Sequence, residues 1–153
     1  MSDERHRRPP GADDATVEAV GKVSEALEWV ERARGRLYDF HQMMGHADAL
    51  FGEAADALAD AGATEQADDL RRHLVGRNAI DGRWTFQIVE EYDDLYWSAA
   101  RDTERRVRDA LMDGRRHVFE SEMKDDRITP GEPGHERRPA DAHDPSVTAL
   151  DDD

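Results

Sequence analysis

From Ala19 to Ala61 an apolar residue recurs at alternating steps of four and three: Ala19, Val23, Ala26, Val30, Ala33, Leu37, Phe40, Met44, Ala47, Phe51, Ala54, Leu58 and Ala61. A seven-residue period held this long specifies a helix whose apolar seam lies against another helix in a left-handed supercoil. Small residues on one track and larger ones on the other allow close approach, as in antiparallel pairs. Gly21, Gly35, Gly45 and Gly52 interrupt the seam's surroundings, each costing about 1 kcal/mol against Ala in a helix. They leave room for a kink near residues 43–46, and the sequence alone does not fix whether the helix is continuous through Gly45.

Proline places the ends of the folded part. Pro9 and Pro10 precede it, and Pro130, Pro133, Pro139 and Pro145 follow it; between Pro10 and Pro130 no residue lacks the N–H a helix needs. The stretch from Ile128 onward is rich in Pro, Gly and Asp, with little apolar surface to offset the entropy of ordering it. We expect disordered tails over residues 1–13 and 128–153, around one helical domain over 14–127.

Inside that domain, DAGAT (residues 60–64) supplies a stop and a start, with Gly62 just past one helix and Thr64 capping the next. The predicted helices span about 14–61, 64–76 and 82–126, with Asp81 as the cap of the last. The fold class is all-α: a long antiparallel, coiled-coil-like hairpin with a short helix between its arms. Antiparallel pairing is expected to set Arg115 and Arg116 near Glu28 and Glu31, and Arg105 and Arg108 near Asp39 and Arg36. Exposed pairs of this kind are too weak to fix a register.

The last helix opens with GRWTFQIVEEYDDLYW, residues 82–97, which interleaves five aromatics with four carboxylates. On a helical wheel Trp84, Ile88, Val89, Tyr92, Leu95, Tyr96, Ala99 and Ala100 fill one arc of about 160 degrees. Phe86 and Trp97 extend the arc. Glu90, Glu91 and Asp94 gather on the opposite face, where water solvates them, and Asp93 alone falls within the apolar border. So wide an arc exceeds a two-helix seam, and a long hairpin has a poor ratio of core to surface. We expect two hairpins to pair through Trp84, Ile88, Tyr92, Leu95, Tyr96 and Trp97 as a homodimeric four-helix-type bundle.

Charge and composition narrow the chemistry. The 153 residues carry a formal net charge of −15, which disfavours nucleic acid and anionic membrane surfaces as partners. The ridge Arg101, Arg105, Arg108 is diluted by Asp102, Glu104 and Asp109, and RHRR at residues 5–8 is short. The absence of Cys excludes disulfide scaffolds, thiol nucleophiles and thiolate zinc sites. The start of the chain lacks the apolar segment of a secretory signal, and no run is long enough to span a bilayer, which points to a cytoplasmic protein.

No phosphate loop or nucleophile elbow occurs, and no motif resembles a characterised family. A di-iron bundle needs Glu-x-x-His on two helices, whereas His117 and Glu120 stand in the reverse order. The weak metal candidates are His41, His73, Asp93, His117 and Glu120, and the spacing favours solvated or capping roles for them. Asp93 has the setting of a general acid if it is desolvated, or of a structural carboxylate if Arg or Tyr satisfies it. The expected function is a non-enzymatic interaction or scaffold module that needs no cofactor. The alternative is a metal- or small-ligand-binding bundle, possibly catalytic; a third reading is an acidic mimic of nucleic acid.

Overall fold

The computed structural model describes residues 4–143, and every regular element among them is helical. α1 runs Asp14–Asp60, α2 Thr64–His73, α3 Thr85–Tyr92, α4 Ser98–Met112 and α5 Val118–Arg127, with a π-helical segment Asp93–Trp97 between α3 and α4. No helix among the described residues is long and apolar enough to cross a membrane. The contacts divide the chain into two units, the first holding the described residues of Met1–Leu27 and Arg101–Asp153, the second Glu28–Ala100. A single domain over 14–127 was the expectation.

α1 is unbroken through Gly35, Gly45 and Gly52, its 47 residues ending where the sequence places the stop. Gly62 takes φ +85°, and the next N–H, that of Ala63, reaches back to the Leu58 carbonyl at 2.8 Å. That bond closes the helix C-terminus in the geometry that favours glycine. α2 stops at His73 rather than Gly76, because the Leu74 and Val75 N–H groups both turn back to the Leu70 carbonyl.

The helix expected over 82–126 is not continuous. It begins at Thr85, with Trp84 rather than Asp81 as the capping residue, and the Trp84 N–H donates to Gln87 Oε1 at 2.9 Å. It is cut again between Met112 and Val118, where Asp113, Gly114 and His117 all have positive φ, at 50°, 73° and 54°. The Gly114 N–H bonds to the Arg108 carbonyl, and Arg108 Nη1 donates to the Gly114 carbonyl at 2.6 Å. A left-handed glycine ends a helix.

The break gives the first unit its core. Val17, Val20, Met112 and Val118 are buried together, with Ala12 and Val107 packed against them. Phe119 leans on α1 where it has no side chain, since a Cβ at Gly21 would stand 3.1 Å from that of Phe119. Residues 4–13, assigned to a disordered tail from their charge and prolines, instead carry a 3-10 turn at Glu4–His6 and a buried Pro9. Arg8 holds them there through Glu122 (2.8 and 2.9 Å) and Asp14 (2.7 Å). Of the C-terminal tail, 128–143 form turns tied by Arg137–Asp125 and Arg138–Asp141 ion pairs, and 144–153 lie outside the described residues.

The arginines expected to pair across the hairpin have other partners. Arg105 pairs with Asp102, Arg108 with Glu104 and Arg36 with Asp39; Arg115 donates to the Arg7 carbonyl, and the Arg116 carbonyl meets His6. Short-range partners at i+3 and i+4 win because they need no long side chains held across a gap. Within the second unit α1 and the later helices run antiparallel, since Glu31 meets Trp97, Arg34 meets Asp93 and His41 meets Thr85.

Candidate functional site

The second unit gathers the chemistry that the sequence singled out at residues 82–97, and the π-helical segment decides how. In it the Ser98 N–H bonds to the carbonyl of Asp93, five residues back, and Ser98 Oγ donates to the Asp94 carbonyl at 2.7 Å. One wide turn inserts a residue into the helical repeat and shifts every later position by about 100 degrees against the earlier ones. Up to Tyr92 the inward positions are Thr85, Ile88 or Val89, and Tyr92; after it they are Asp93, Trp97 and Ala100, while Leu95 (73% exposed) and Tyr96 (59%) turn outward. A uniform wheel cannot represent that shift.

Asp93 therefore lies inward and is satisfied there. Arg34 grips it with two bonds, Nε to Oδ1 at 2.8 Å and Nη2 to Oδ2 at 3.0 Å, and the Tyr38 hydroxyl stands 3.5 Å away. The Arg34 guanidinium stacks 3.8 Å over the Trp97 ring, whose Nε1–H donates to Glu31 at 2.9 Å. The Arg34 hydrogen bonds hold the Asp93 carboxyl below the usual carboxylate range, outweighing the opposing effect of burial. Of the two settings the sequence allows Asp93, the structure gives the one with a satisfied, ionised carboxylate. Burial raises the neighbouring Tyr92 hydroxyl, and its ring lies 5.8 Å from that of Tyr96.

Of the other candidate ligands, His41 and His73 stand apart, whereas His117 and Glu120 come together. His41 Nδ1 is 2.7 Å from the hydroxyl of Thr85, a buried residue at the start of α3. His73 faces Asp69 on its own helix at 3.5 Å, and in the first unit His117 faces Glu120 at 3.6 Å. Three of the five, His41, His73 and Asp93, belong to the second unit, each with a separate partner. Of the expected interface residues, Trp84, Leu95 and Tyr96 are exposed, whereas Ile88, Tyr92 and Trp97 are half-buried.

Sequence reasoning missed a cavity of about 290 Å³ beside Thr85, between α1 and the loop that joins α2 to α3. Its apolar wall is Met44, Phe51, Leu74 and Trp84, and Asp48 and Arg77 supply charge. Two bonds fix the loop over it: the Gly76 N–H donates to Asp48 Oδ1 at 2.7 Å, and Trp84 Nε1–H to the Gly76 carbonyl at 3.3 Å. Gly76 reaches both because its φ is +75°. The only hint in the sequence was Gly76 itself, marking where a helix had to end.

Fold and site define an all-helical protein with a small, mostly apolar cavity in one of its two units. Comparison with family models, with curated proteins and with solved structures gives no match to this chain.

Proposed function

We propose that the protein is a non-enzymatic interaction module whose second unit pairs with another copy of the chain. The observation that carries this is a mismatch between apolar content and burial. Among the hydrophobic residues of that unit only Ala55, Ala67 and Val89 are buried, whereas Phe40, Met43, Met44, Leu50 and Phe51 on α1 are 38–64% exposed. These five stand at helical spacing on one face. Leu74, Ile80, Trp84 and Phe86 add a further 40–51% each of their surface. Nine large side chains exposed to that degree offer on the order of 800 Å², the share one partner gives to a standard interface.

A second copy is the occupant that fits. The α1 face follows the heptad, as a helix does when its seam meets an equivalent helix, and a two-fold dimer needs only one self-complementary surface. Trp84, Leu95 and Tyr96 belong to the pairing surface, and Ile88, Tyr92 and Trp97 support it from beneath. The product is a four-helix-type bundle built from two antiparallel, coiled-coil-like hairpins, working in the cytoplasm. Size exclusion coupled to light scattering tests it: we expect the mass of two chains at micromolar concentration and of one chain for Met43→Glu with Leu50→Glu. A wild-type protein that elutes as a monomer throughout rejects it.

A further inference from the structure

We infer that the cavity bounded by α1 and the α2–α3 loop is a binding site for a small apolar zwitterion, of the class of a free hydrophobic α-amino acid. The cavity shares Met44, Phe51, Leu74 and Trp84 with the proposed pairing face, and Met43 and Leu50, which do not line it, let the two be tested apart. Three observations carry it: size, lining and uncompensated charge.

At about 290 Å³ the space is near the lower limit of ligand pockets, which suits a molecule of one ring or one branched chain. Met44, Phe51, Leu74 and Trp84 form an apolar wall with two aromatic faces and one adaptable thioether. The charged groups are one of each sign. Asp48 uses Oδ1 for the Gly76 N–H, and Oδ2 has no partner among the described residues. Arg77 makes one long contact, 3.5 Å to the His73 carbonyl on its own segment, and pairs with no carboxylate among the described residues. Arg34, Arg36, Arg71 and Arg83 of the same unit have acidic partners; Arg32 and Arg72 share with Arg77 the lack of one among the described residues, but only Arg77 lines the cavity.

Asp48 and Arg77 thus line one cavity without neutralising each other. A lone carboxylate ligand would satisfy Arg77 and be repelled by Asp48; a lone amine would do the reverse. A molecule with both charges next to an apolar group satisfies the two together, its carboxylate bonding to the guanidinium and its ammonium to Asp48. Closure of the loop by Asp48 and Trp84 keeps the apolar wall in place before anything binds, so little ordering cost opposes binding.

Isothermal titration of the full chain with L-phenylalanine, 3-phenylpropionate and phenethylamine is the test. We expect saturable one-to-one binding of L-phenylalanine and at least tenfold weaker binding of the two fragments. Arg77→Gln should weaken L-phenylalanine tenfold and leave phenethylamine unchanged; Asp48→Asn, which keeps an acceptor for Gly76, should weaken L-phenylalanine and leave 3-phenylpropionate unchanged. Ala47→Phe, which fills the cavity from a helical position, should abolish all binding without lowering helix content. Equal binding of the three compounds, binding indifferent to Arg77→Gln and Asp48→Asn, or no binding of L-phenylalanine would each overturn the assignment. The monomeric Met43→Glu, Leu50→Glu protein leaves the shared wall open and should bind L-phenylalanine at least as tightly as the wild type, so failure to bind in that protein overturns the assignment whatever the pairing experiment gives.

Discussion

Asp93 shows what a single residue can and cannot disclose. Its place among Val89, Phe86 and Trp97 in the sequence marks it as an inward carboxylate, and the two-bond grip of Arg34 explains why it tolerates that place. Because its folded pKa lies below the ordinary value, its ionised form is favoured by folding. The stability this supplies is complete above the ordinary carboxylate pKa, near 3.9, and is lost as pH falls through the depressed folded value. Thermal midpoints by circular dichroism should therefore fall for the wild type from about pH 4 downward, and the gap between wild type and Asp93→Asn should close over that same window. An unchanged gap at the acid end would mean that Arg34 does not hold the carboxylate. Asp13, Asp141 and Glu136 are also depressed, so only the difference between the two proteins isolates Asp93.

At the scale of the element, glycines with the same letter have opposite roles. A Cβ at Gly35 meets nothing within 4 Å, at Gly21 it meets Phe119 at 3.1 Å, and at Gly114 it combines φ +73° with Asp109 at 3.2 Å. In urea unfolding Gly35→Ala should stabilise by about 1 kcal/mol, the helix-propensity gain. Gly21→Ala should gain clearly less than that, and Gly114→Ala should cost about 1–2 kcal/mol for the left-handed backbone. Equal effects at the three sites would contradict the packing described. The break that Gly114 makes also delivers Val118 to the Val17, Val20 and Met112 core. Met112 is its largest fully buried side chain, at 1% exposure, and Met112→Ala should cost about 3 kcal/mol in the same assay. In a core this small, that is a large share of a typical folding free energy.

For the whole molecule, charge and apolar exposure pull in opposite directions. A formal net charge of −15 makes two copies repel, while the exposed side chains of the second unit favour their association. If self-pairing is driven by that apolar face, added salt screens the repulsion and should tighten the dimer in sedimentation equilibrium. An association loosened by salt would point instead to ion pairs across the interface. Each unit places its hydrophobic residues differently: the first buries a compact set, and the second leaves most of its large ones at the surface.

The heptad from Ala19 to Ala61, the absence of internal proline and the Gly62 stop were enough, through local backbone and periodicity rules alone, to give α1 its two ends and the molecule its helical class. The same rules failed after Asp81, where the outcome depends on contacts distant in sequence. Whether Gly114 continues a stripe or ends a helix depends on Arg108 reaching its carbonyl, and the turn at Asp93–Trp97 goes with the facing of Arg34 to Asp93 and of Glu31 to Trp97. The cavity is a still less local property, for it exists only once Asp48 has fastened Gly76 and brought Trp84 opposite Met44. Periodicity says which side of a helix is apolar; only packing decides whether that side meets the chain itself, a small molecule or another copy.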